Sequence, residues 1–327
     1  MKTERDLKSE DARLERSSVS PEARAKIREF LTDIRINNAG YDRIIYYAVR
    51  LRQLAEMMGS SFLNPSEEDI RKTLATLMEV KIGKTNTSVG QYSESAIQAF
   101  KIAMRVFYVW LLGEDTPVIR RLKVGARANR GKKPPQPLTE DAVATMANAT
   151  PNQRDRTLIW LLYDSGCRVG ELLTLRIQDV KFDENGILLL VNGKTGFRQV
   201  RVVGQSIVEM QKWIAQYPEK RNESSWVFPV IQGGNMEKHL EETNVRHILK
   251  LACRRAGITY RVYAHLFRHT RATLLAQNVA QAPLSKQMGW TQASQMAKVY
   301  VHLSDRQQDE AILKGYEKDK EKKRKEP

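Results

Sequence analysis

The apolar residues of this chain recur at helical spacing along most of its length, and the period changes in one stretch, residues 177–203. There, three short runs at 177–182, 186–191 and 198–203 alternate in polarity or are β-branched, and turns rich in Asp, Asn and Gly join them. Such runs predict a three-stranded antiparallel meander. The fold class we predict is therefore mainly α with one small antiparallel sheet.

Length and spacing together predict two domains. A chain of 327 residues is long enough to bury two cores of ordinary size. Four helical patterns between residues 20 and 113 predict a small all-α domain, and a mostly helical domain containing the small sheet is predicted over 138–316. Residues 1–19 have no apolar period and are expected to be a flexible arm, and the Lys-rich residues 317–327 to be a charged tail.

The segment between the two predicted domains, residues 114–137, is strongly basic. No acidic residue occurs between Thr116 and Thr139. The basic residues of this linker are Arg120, Arg121, Lys123, Arg127, Arg130, Lys132 and Lys133. A solvated linker is one interpretation. The position of the segment between two folded units favours a second interpretation. In this one, the segment is a basic strap that binds the phosphate backbone of a duplex gripped by both domains.

Charge and composition limit the possible functions. The 54 Lys and Arg against 38 Asp and Glu leave a net charge of +16, which favours a polyanionic partner, nucleic acid before an acidic membrane surface. Neither Cys167 nor Cys253 lies at metal-ligand spacing, so a disulfide framework or zinc site has no support. The chain also lacks the roughly 18 uninterrupted apolar residues of a membrane span and an apolar signal core, so we expect a cytoplasmic protein.

Four short motifs of the second predicted domain contain residues suited to chemistry on a phosphodiester. In chain order they are Gly166-x-Arg168-x-x-Glu171-Leu172; Lys194 between Gly193 and Gly196; His265-x-x-Arg268-His269-x-x-Ala272-Thr273; and Gly289-Trp290 followed by Tyr300.

Each motif has an ordinary explanation when it is taken alone. Arg168 and Glu171 could form a surface ion pair, and His265 with His269 could face a zinc ion, although Arg268 would repel the cation. The remaining residues would be a solvated turn lysine, Lys194; a helix-end anchor, Trp290; and a core aromatic, Tyr300. A random basic helical protein would rarely combine all of them in this order.

Together, the four motifs resemble the active-site boxes of the tyrosine recombinase or phage integrase family, over residues 137–315. The resemblance implies a two-domain DNA clamp, with a core-binding domain at 20–113 and a catalytic domain at 138–316. It implies double-stranded DNA with a specific recombination site as partner, and a tetramer on two paired sites. Residues 305–315 resemble the segment that members dock onto a neighbouring subunit; packing on their own domain is the alternative.

The resemblance also implies a nucleophile and the residues that stabilise its attack. Tyr300 would attack the phosphodiester and form a 3′-phosphotyrosyl link, while Arg168 and Arg268 hold the non-bridging oxygens of the five-coordinate phosphorus. Because guanidinium groups stay charged without proton transfer, no metal is expected, and because the phosphotyrosyl ester preserves the energy of the broken bond, neither ATP nor another cofactor is expected. His265 and Trp290 would donate further hydrogen bonds to the same oxygens.

Two further roles follow from the resemblance. Lys194 would be the general acid that protonates the leaving 5′-oxygen, and Glu171 would orient Arg168 and His265.

Two features differ from the commonest pattern of the family. Trp290 stands where histidine is usual, and Tyr300 lies ten residues after it, where nine is more common. This spacing and the sequence that follows Tyr300 resemble archaeal members. Two other functions remain open: a type IB topoisomerase, which shares this chemistry, and a non-catalytic DNA-binding regulator. The two-domain layout and short length favour a recombinase over the first, and the complete residue set argues against the second.

Overall fold

The chain divides into two compact units, Met1–Lys133 and Pro134–Pro327. The computed structural model describes residues 3–79, 81–84, 88–113, 116–122, 135–193, 196–218, 222–231, 236–291, 294 and 300, with the backbone alone at 81–84, 88–91, 118 and 121. The Lys-rich tail and the segment 305–315 lie outside the described residues.

The first unit contains six described α-helices, a 3-10 turn at Gly59–Ser61 and a short hairpin. The helices are α1 (Glu4–Glu15), α2 (Pro21–Ile36), α3 (Tyr41–Met58), α4 (Glu67–Glu79), α5 (Glu94–Leu112) and α6 (Pro117–Arg121). The strands β1 (Lys81–Lys84) and β2 (Ser88–Gln91) pair antiparallel between α4 and α5. The four helices expected between residues 20 and 113 correspond to α2, α3, α4 and α5.

The expectation of a flexible arm over residues 1–19 is wrong for the part that the structure describes. Helix α1 begins with a capping box in which the Thr3 hydroxyl accepts from the Asp6 amide and the Asp6 carboxylate accepts from the Thr3 amide. Leu14 of α1 is buried in the core of the unit, and so is Val19 in the segment after the helix. Glu10, only 3% exposed, accepts a hydrogen bond from Arg52 of α3 at 2.9 Å. The arm is therefore a helix docked by an ion pair and a few apolar contacts.

The core of the first unit is rich in aromatic rings, and α5 supplies many of them. Phe107 of α5 lies edge-on to Phe30 of α2, with ring centroids 5.4 Å apart, and Tyr108 donates to the Phe62 carbonyl at 2.9 Å. Among the described helices, α5 is long and apolar enough to cross a membrane by length and composition alone. Its residues Phe100, Met104 and Phe107 are buried among the other helices of this core.

The beginning of the expected linker is folded. Residues 117–121 form α6. Ile119 of this helix is 2% exposed and Leu122, directly after the helix, is 0% exposed, and both belong to the core of the first unit. The basic segment therefore starts on this unit rather than at residue 114. Arg120 is exposed on α6. The side chain of Arg121, and Lys123, Arg127, Arg130, Lys132 and Lys133, lie outside what the structure describes.

The second unit contains seven described α-helices, a 3-10 turn at Ile177–Asp179 and the sheet predicted from the change of period. The helices are α7 (Glu140–Asn148), α8 (Gln153–Ser165), α9 (Val169–Leu173), α10 (Ser206–Ala215), α11 (Glu242–Arg255), α12 (Ala264–Ala276) and α13 (Gln281–Met288). The strands are β3 (Val180–Asp183), β4 (Gly186–Gly193) and β5 (Gly196–Val202), in the antiparallel order β3-β4-β5. The fold class predicted from the sequence is confirmed.

The sheet packs one face against the core and lays one edge against α13. Leu189 lies opposite Val200 in the β4–β5 register, and both are fully buried. At the outer edge of β5, Gln287 of α13 bonds to the backbone of Arg201 in both directions. Its amide nitrogen donates to the Arg201 carbonyl at 2.7 Å, and its amide oxygen accepts from the Arg201 amide at 3.2 Å.

Helix α8 lies at the centre of the second unit and ends where the candidate site begins. Ten of its residues are buried, as expected for a helix that contacts α7, α10, α12 and β5. It ends at Gly166, which has the left-handed φ of +64°. A Cβ at Gly166 would lie 2.8 Å from the Met288 Cε and 3.0 Å from Arg271 side-chain atoms. Glycine is therefore required both by the backbone and by the close packing of α12 and α13.

Candidate active site

Glu171 is a buried carboxylate that holds two arginines. Arg168 lies at the N-cap of α9, and Glu171 on the first turn of that helix accepts from the Arg168 backbone amide at 2.9 Å and from its Nη1 at 2.9 Å. Arg198 of β5 donates to the same carboxylate from Nη1 at 2.9 Å and from Nη2 at 2.8 Å. The Glu171 side chain is 4% exposed and the Arg198 side chain 7%.

This arrangement changes two interpretations made from the sequence. The Arg168–Glu171 pair is not a surface ion pair, because its carboxylate is buried. The second partner of Glu171 within the described residues is Arg198, whereas His265 was expected. Burial raises the pKa of Glu171, but the hydrogen bonds from Arg198 and Arg168 outweigh it and leave that pKa below its ordinary value. Glu171 is therefore an anion that fixes both guanidinium groups.

Two glycines allow other backbone segments to approach this ion pair closely. A Cβ at Gly193, the last residue of β4, would lie 2.4 Å from Glu171 Oε1 and 3.0 Å from Arg198 Nη1. A Cβ at Gly289, which ends α13 with φ +60°, would lie 2.7 Å from the Arg198 guanidinium carbon. Both segments therefore pack directly on Arg198. Lys194, which follows Gly193, lies outside the described residues.

Arg268 is the most enclosed of the predicted phosphate-binding residues. It is 4% exposed on α12, donates from Nη1 to the Gly166 carbonyl at 2.9 Å and from Nη2 to the Met288 carbonyl. Burial, and after it the charge of Arg168, lowers the pKa of Arg268 to about 10, so the group is still a cation at neutral pH. The two carbonyls use two of its five N–H donors and fix the plane of the fork.

Arg168 lies beside Arg268 but is more open. Its Nη2 donates to the Gly289 carbonyl at 3.5 Å, next to the Met288 carbonyl bound by Arg268. Its side chain is 37% exposed. The Arg268 guanidinium is thus buried, whereas the Arg168 guanidinium faces outward. Two neighbouring guanidinium groups arranged in this way can bind an anion.

Tyr300 packs against the aromatic ring of Trp290. The two rings stack with centroids 5.3 Å apart and an interplanar angle of 10°, and the Arg268 guanidinium lies over the Trp290 ring, 5.9 Å from its centroid. Tyr300 is 5% exposed and joins a small apolar cluster with Ala272 and Leu284. Burial raises the pKa of Tyr300, and the charge of Arg268 acts in the opposite direction. The tyrosine is therefore fixed in a pocket with a cation close by.

Two histidines one turn apart on α12 have different surroundings. His265 is exposed, and partial desolvation followed by the charges of Arg268 and Arg168 lowers its pKa. His269 is 9% exposed; its Nδ1 lies 3.2 Å from the Tyr300 hydroxyl and its Nε2 lies 3.1 Å from the Pro135 carbonyl. Within the described part of the chain, no group of three or more potential metal-ligating side chains occurs.

The structure thus brings most of the predicted residues into one place. Arg168, Arg268, Trp290 and Tyr300 are linked through the contacts above, and the pKa of His265 responds to both arginines. Two residues without an assigned role, Arg198 and His269, are part of the same arrangement.

The sequence marks Arg198 as unusual, but it indicates the contact partner of neither residue. Arg198 occupies the same face of β5 as the buried Val200 and Val202, an unusual position for a charge. His269 lies within the third motif, but its neighbours along the chain do not indicate that Tyr300 contacts it.

Two arginines and a stacked, buried tyrosine thus lie together in the second unit. The family model of the phage integrase family matches residues 136–307, more than half of the 327 residues. The chain belongs to this family, and the resemblance to tyrosine recombinases noted from the motifs is confirmed.

Relatives and solved structures agree with this assignment. Transposase A from transposon Tn554 of Staphylococcus aureus is 29% identical over 203 residues, 59% of this chain and 55% of that protein, so the chain spans about half the length of this relative. Tyrosine recombinase XerA of Pyrococcus furiosus is 25% identical over 290 residues, 88% of this chain and 92% of that protein. A lambda integrase tetramer bound to a Holliday junction has the same fold, with a TM-score of 0.63 at 13% identity over 84% of this chain and 76% of that one.

Proposed function

We propose that this chain is a site-specific DNA recombinase in which Tyr300 cleaves and rejoins strands through a 3′-phosphotyrosyl intermediate. One observation carries the proposal: the ring of Trp290 stacks on Tyr300 and lies under the Arg268 guanidinium, so that a phenol and a fixed cation are neighbours. Membership of the phage integrase family and the names of the relatives, a transposase and a tyrosine recombinase, support the same function.

The proposed reaction uses the two arginines to bind the scissile phosphate. Arg168 and Arg268 would hold its non-bridging oxygens, with His265 and the Trp290 indole as further donors. Because the two carbonyl bonds of Arg268 fix its fork in place, little reorganisation is needed as charge develops on the phosphoryl oxygens. Loss of such a donor typically costs about 10²–10³ in rate.

Departure of the 5′-oxygen requires a proton, and Lys194 is the proposed donor. Its neighbour Gly193 packs on Glu171, which places the end of β4 beside the arginine pair. The phosphotyrosyl ester retains the energy of the original bond, so a second 5′-hydroxyl can reverse the step without ATP. Strand exchange follows when that hydroxyl belongs to another duplex.

The proposed partner is double-stranded DNA carrying a specific site. The net charge of +16, the basic residues 120–133 and the helical first unit would provide the grip on the duplex. A tetramer on two paired sites is proposed by analogy with the tetramer described for lambda integrase. We likewise propose that the protein acts in the cytoplasm and is an archaeal-type member.

Trapping of the covalent intermediate tests the function. Bound duplexes would first be selected from random-sequence DNA, and a nick would then be placed beside the cleavage position so that the cleaved fragment diffuses away. Wild-type protein should give a protein–DNA adduct on a denaturing gel, and Tyr300→Phe should give none. Tyr260→Phe is a matched control, because Tyr260 is 52% exposed; it should keep the adduct. An adduct that survives in Tyr300→Phe would identify another nucleophile.

Two further measurements separate the alternatives. A type IB topoisomerase would relax supercoiled plasmid as a monomer without a specific sequence, whereas the proposed recombinase requires two copies of the selected site. A non-catalytic DNA-binding protein would bind the site and form no adduct. Because arginines provide the charge stabilisation, a metal chelator should leave adduct formation intact.

A further inference from the structure

The His269 ring is held between a hydroxyl and a carbonyl. Its Nδ1 lies 3.2 Å from the Tyr300 hydroxyl oxygen, and its Nε2 lies 3.1 Å from the carbonyl oxygen of Pro135. The His269 and Tyr300 rings are 5.1 Å apart at an interplanar angle of 50°. Both nitrogens of the imidazole therefore have one defined partner each.

The chemistry of these partners determines which nitrogen carries the proton. A carbonyl oxygen can only accept a hydrogen bond, so Nε2 must be the N–H that donates to Pro135. Burial lowers the pKa of His269, so at neutral pH the ring holds a single proton, and that proton is on Nε2. Nδ1 then has a free lone pair. The hydrogen bond at this nitrogen is donated by the Tyr300 hydroxyl, which points its proton at His269.

We propose that His269 is a catalytic residue of the reaction assigned above, the general base that takes the proton from Tyr300 during strand cleavage. The inference rests on the proposed function, because it assigns a role at the nucleophile of that reaction. As the phenolic oxygen forms its bond to phosphorus, the O–H proton passes to Nδ1 and the bond between phosphorus and the 5′-oxygen breaks. The 5′-oxygen leaves with the proton supplied by Lys194.

Rejoining would reverse each of these transfers. The attacking 5′-hydroxyl returns its proton to the lysine amine and forms the new bond to phosphorus. The phenolic oxygen leaves and takes back the proton that the His269 imidazolium held on Nδ1. No proton is gained or lost over the full cycle, so the two groups end as they began.

The surroundings of Tyr300 explain why a base is needed. Burial raises the pKa of the phenol above its usual value of about 10, and the charge of Arg268 only partly opposes this. Trp290, the other ring against Tyr300, has a single N–H and can donate but not accept. Among the described residues, the charged and titratable groups that act on Tyr300 are Arg268 and Tyr263, and His269 itself contributes to lowering the pKa of the neighbouring His265. Among the described residues, the hydrogen-bond partner of the Tyr300 hydroxyl is His269, whose Nδ1 accepts the bond.

Single-turnover adduct formation on the nicked duplex, followed as a function of pH, tests this role. In wild type, the rate should fall as the pH drops through the lowered pKa of His269, because the imidazolium cannot accept a proton. His269→Gln retains an N–H for the Pro135 carbonyl but has no basic nitrogen. Its rate of adduct formation should be about 10²–10⁴ lower than that of wild type. That rate should also continue to rise with pH into the alkaline range. His247→Gln, at an exposed position of α11, should behave as wild type. A wild-type rate in His269→Gln would show that the histidine only tethers Pro135, and would overturn the proposal.

A modified substrate distinguishes the base from the acid. In DNA with sulfur in place of the bridging 5′-oxygen, the leaving thiolate needs no proton. This substrate should restore the rate of Lys194→Ala and leave His269→Gln slow. Recovery of His269→Gln to the same extent as Lys194→Ala would assign the histidine to the leaving group and contradict its role at Tyr300.

The tautomer provides a readout that does not depend on any variant's folding. In the full-length protein labelled with ¹⁵N-histidine, His269 should show a protonated Nε2 and an unprotonated Nδ1 at neutral pH. A proton on Nδ1 would overturn the inference. Failure of the proposed function is distinguishable, because wild-type protein would then form no adduct at all.

Discussion

Arg198 and Glu171 form a doubly hydrogen-bonded ion pair, with distances of 2.9 and 2.8 Å, in which both side chains are less than a tenth exposed. Arg198 also donates from Nε to the Gln287 carbonyl at 3.2 Å, so it joins β5, α9 and α13. The outward-facing Arg168 is bound by the same carboxylate, which makes the position of Arg168 dependent on Arg198.

Arg198→Ala should therefore destabilise the second unit and slow adduct formation. Removal of one partner leaves Glu171 buried without its main counter-charge, which typically costs about 3–5 kcal/mol. Arg201→Ala on the same strand is the matched control: its ion pair with Asp183 is 38% and 39% exposed, so its loss should destabilise the unit far less than the loss of Arg198. Chemical denaturation of both variants measures the difference. Equal destabilisation of the two variants would mean that the buried ion pair contributes no more to stability than the exposed one.

Gly193→Ala should lower the cleavage rate more than it lowers DNA affinity. The new methyl group would lie 2.4 Å from Glu171 Oε1, so either the carboxylate or the end of β4 must shift. A displacement of about 1 Å at catalytic groups can cost on the order of 10²-fold in rate. Gly170→Ala serves as control, since its Cβ would meet Glu242 at an ordinary 3.7 Å. Adduct rates and filter-binding affinities of both variants test this, and an unchanged rate in Gly193→Ala would show that the contact is easily relieved.

The stabilising effect of Glu171 should disappear in acid. Its pKa in the folded protein is held below the ordinary value by Arg198 and Arg168, although burial acts in the opposite direction. The contribution is therefore complete above the unfolded pKa of about 4.3 and is lost as the pH falls through the lower folded value. The difference in unfolding free energy between wild type and Glu171→Gln should shrink over this range. A difference for Glu171→Gln that stays constant over this range would contradict the linkage.

DNA binding should depend steeply on salt. The logarithm of the association constant should fall with the logarithm of salt concentration by roughly 0.9 for each phosphate contacted. A double variant, Lys132→Gln with Lys133→Gln, should reduce this slope by about two contacts if the basic strap lies along the backbone. Titrations at several salt concentrations measure the slope. A slope identical to that of wild type would place these lysines away from DNA.

The sheet and the four long helices of the first unit could be predicted because each has a clear apolar period. Helix α1 could not, because ion pairs anchor it: Arg28 of α2 binds Asp11 at 2.7 Å and Glu15 at 2.6 Å, and such contacts leave no periodic pattern. The hairpin β1–β2 was missed for a related reason. Its strands, Lys-Ile-Gly-Lys and Ser-Val-Gly-Gln, have no alternating apolar face and contain glycine, which weakens a strand.

Within the site, the residues of the four motifs could be found from their order along the chain. The partners that hold them could not, because these contacts join residues far apart in sequence. Arg198 reaches Glu171 across 27 positions, and Tyr300 reaches His269 across 31. A role for Glu171 in orienting Arg168 was predicted. That the same carboxylate also binds Arg198 became visible only in the structure.

The contact between Gln287 and Arg201 has a consequence for self-association. By bonding to both backbone groups of Arg201, the amide occupies the place that a neighbouring strand would take. At this point β5 cannot template a further strand from another molecule, a hazard that exposed sheet edges otherwise carry. Two copies of this protein could therefore not join their sheets by pairing strands at this position of β5, and the side-chain amide protects that part of the edge from aggregation.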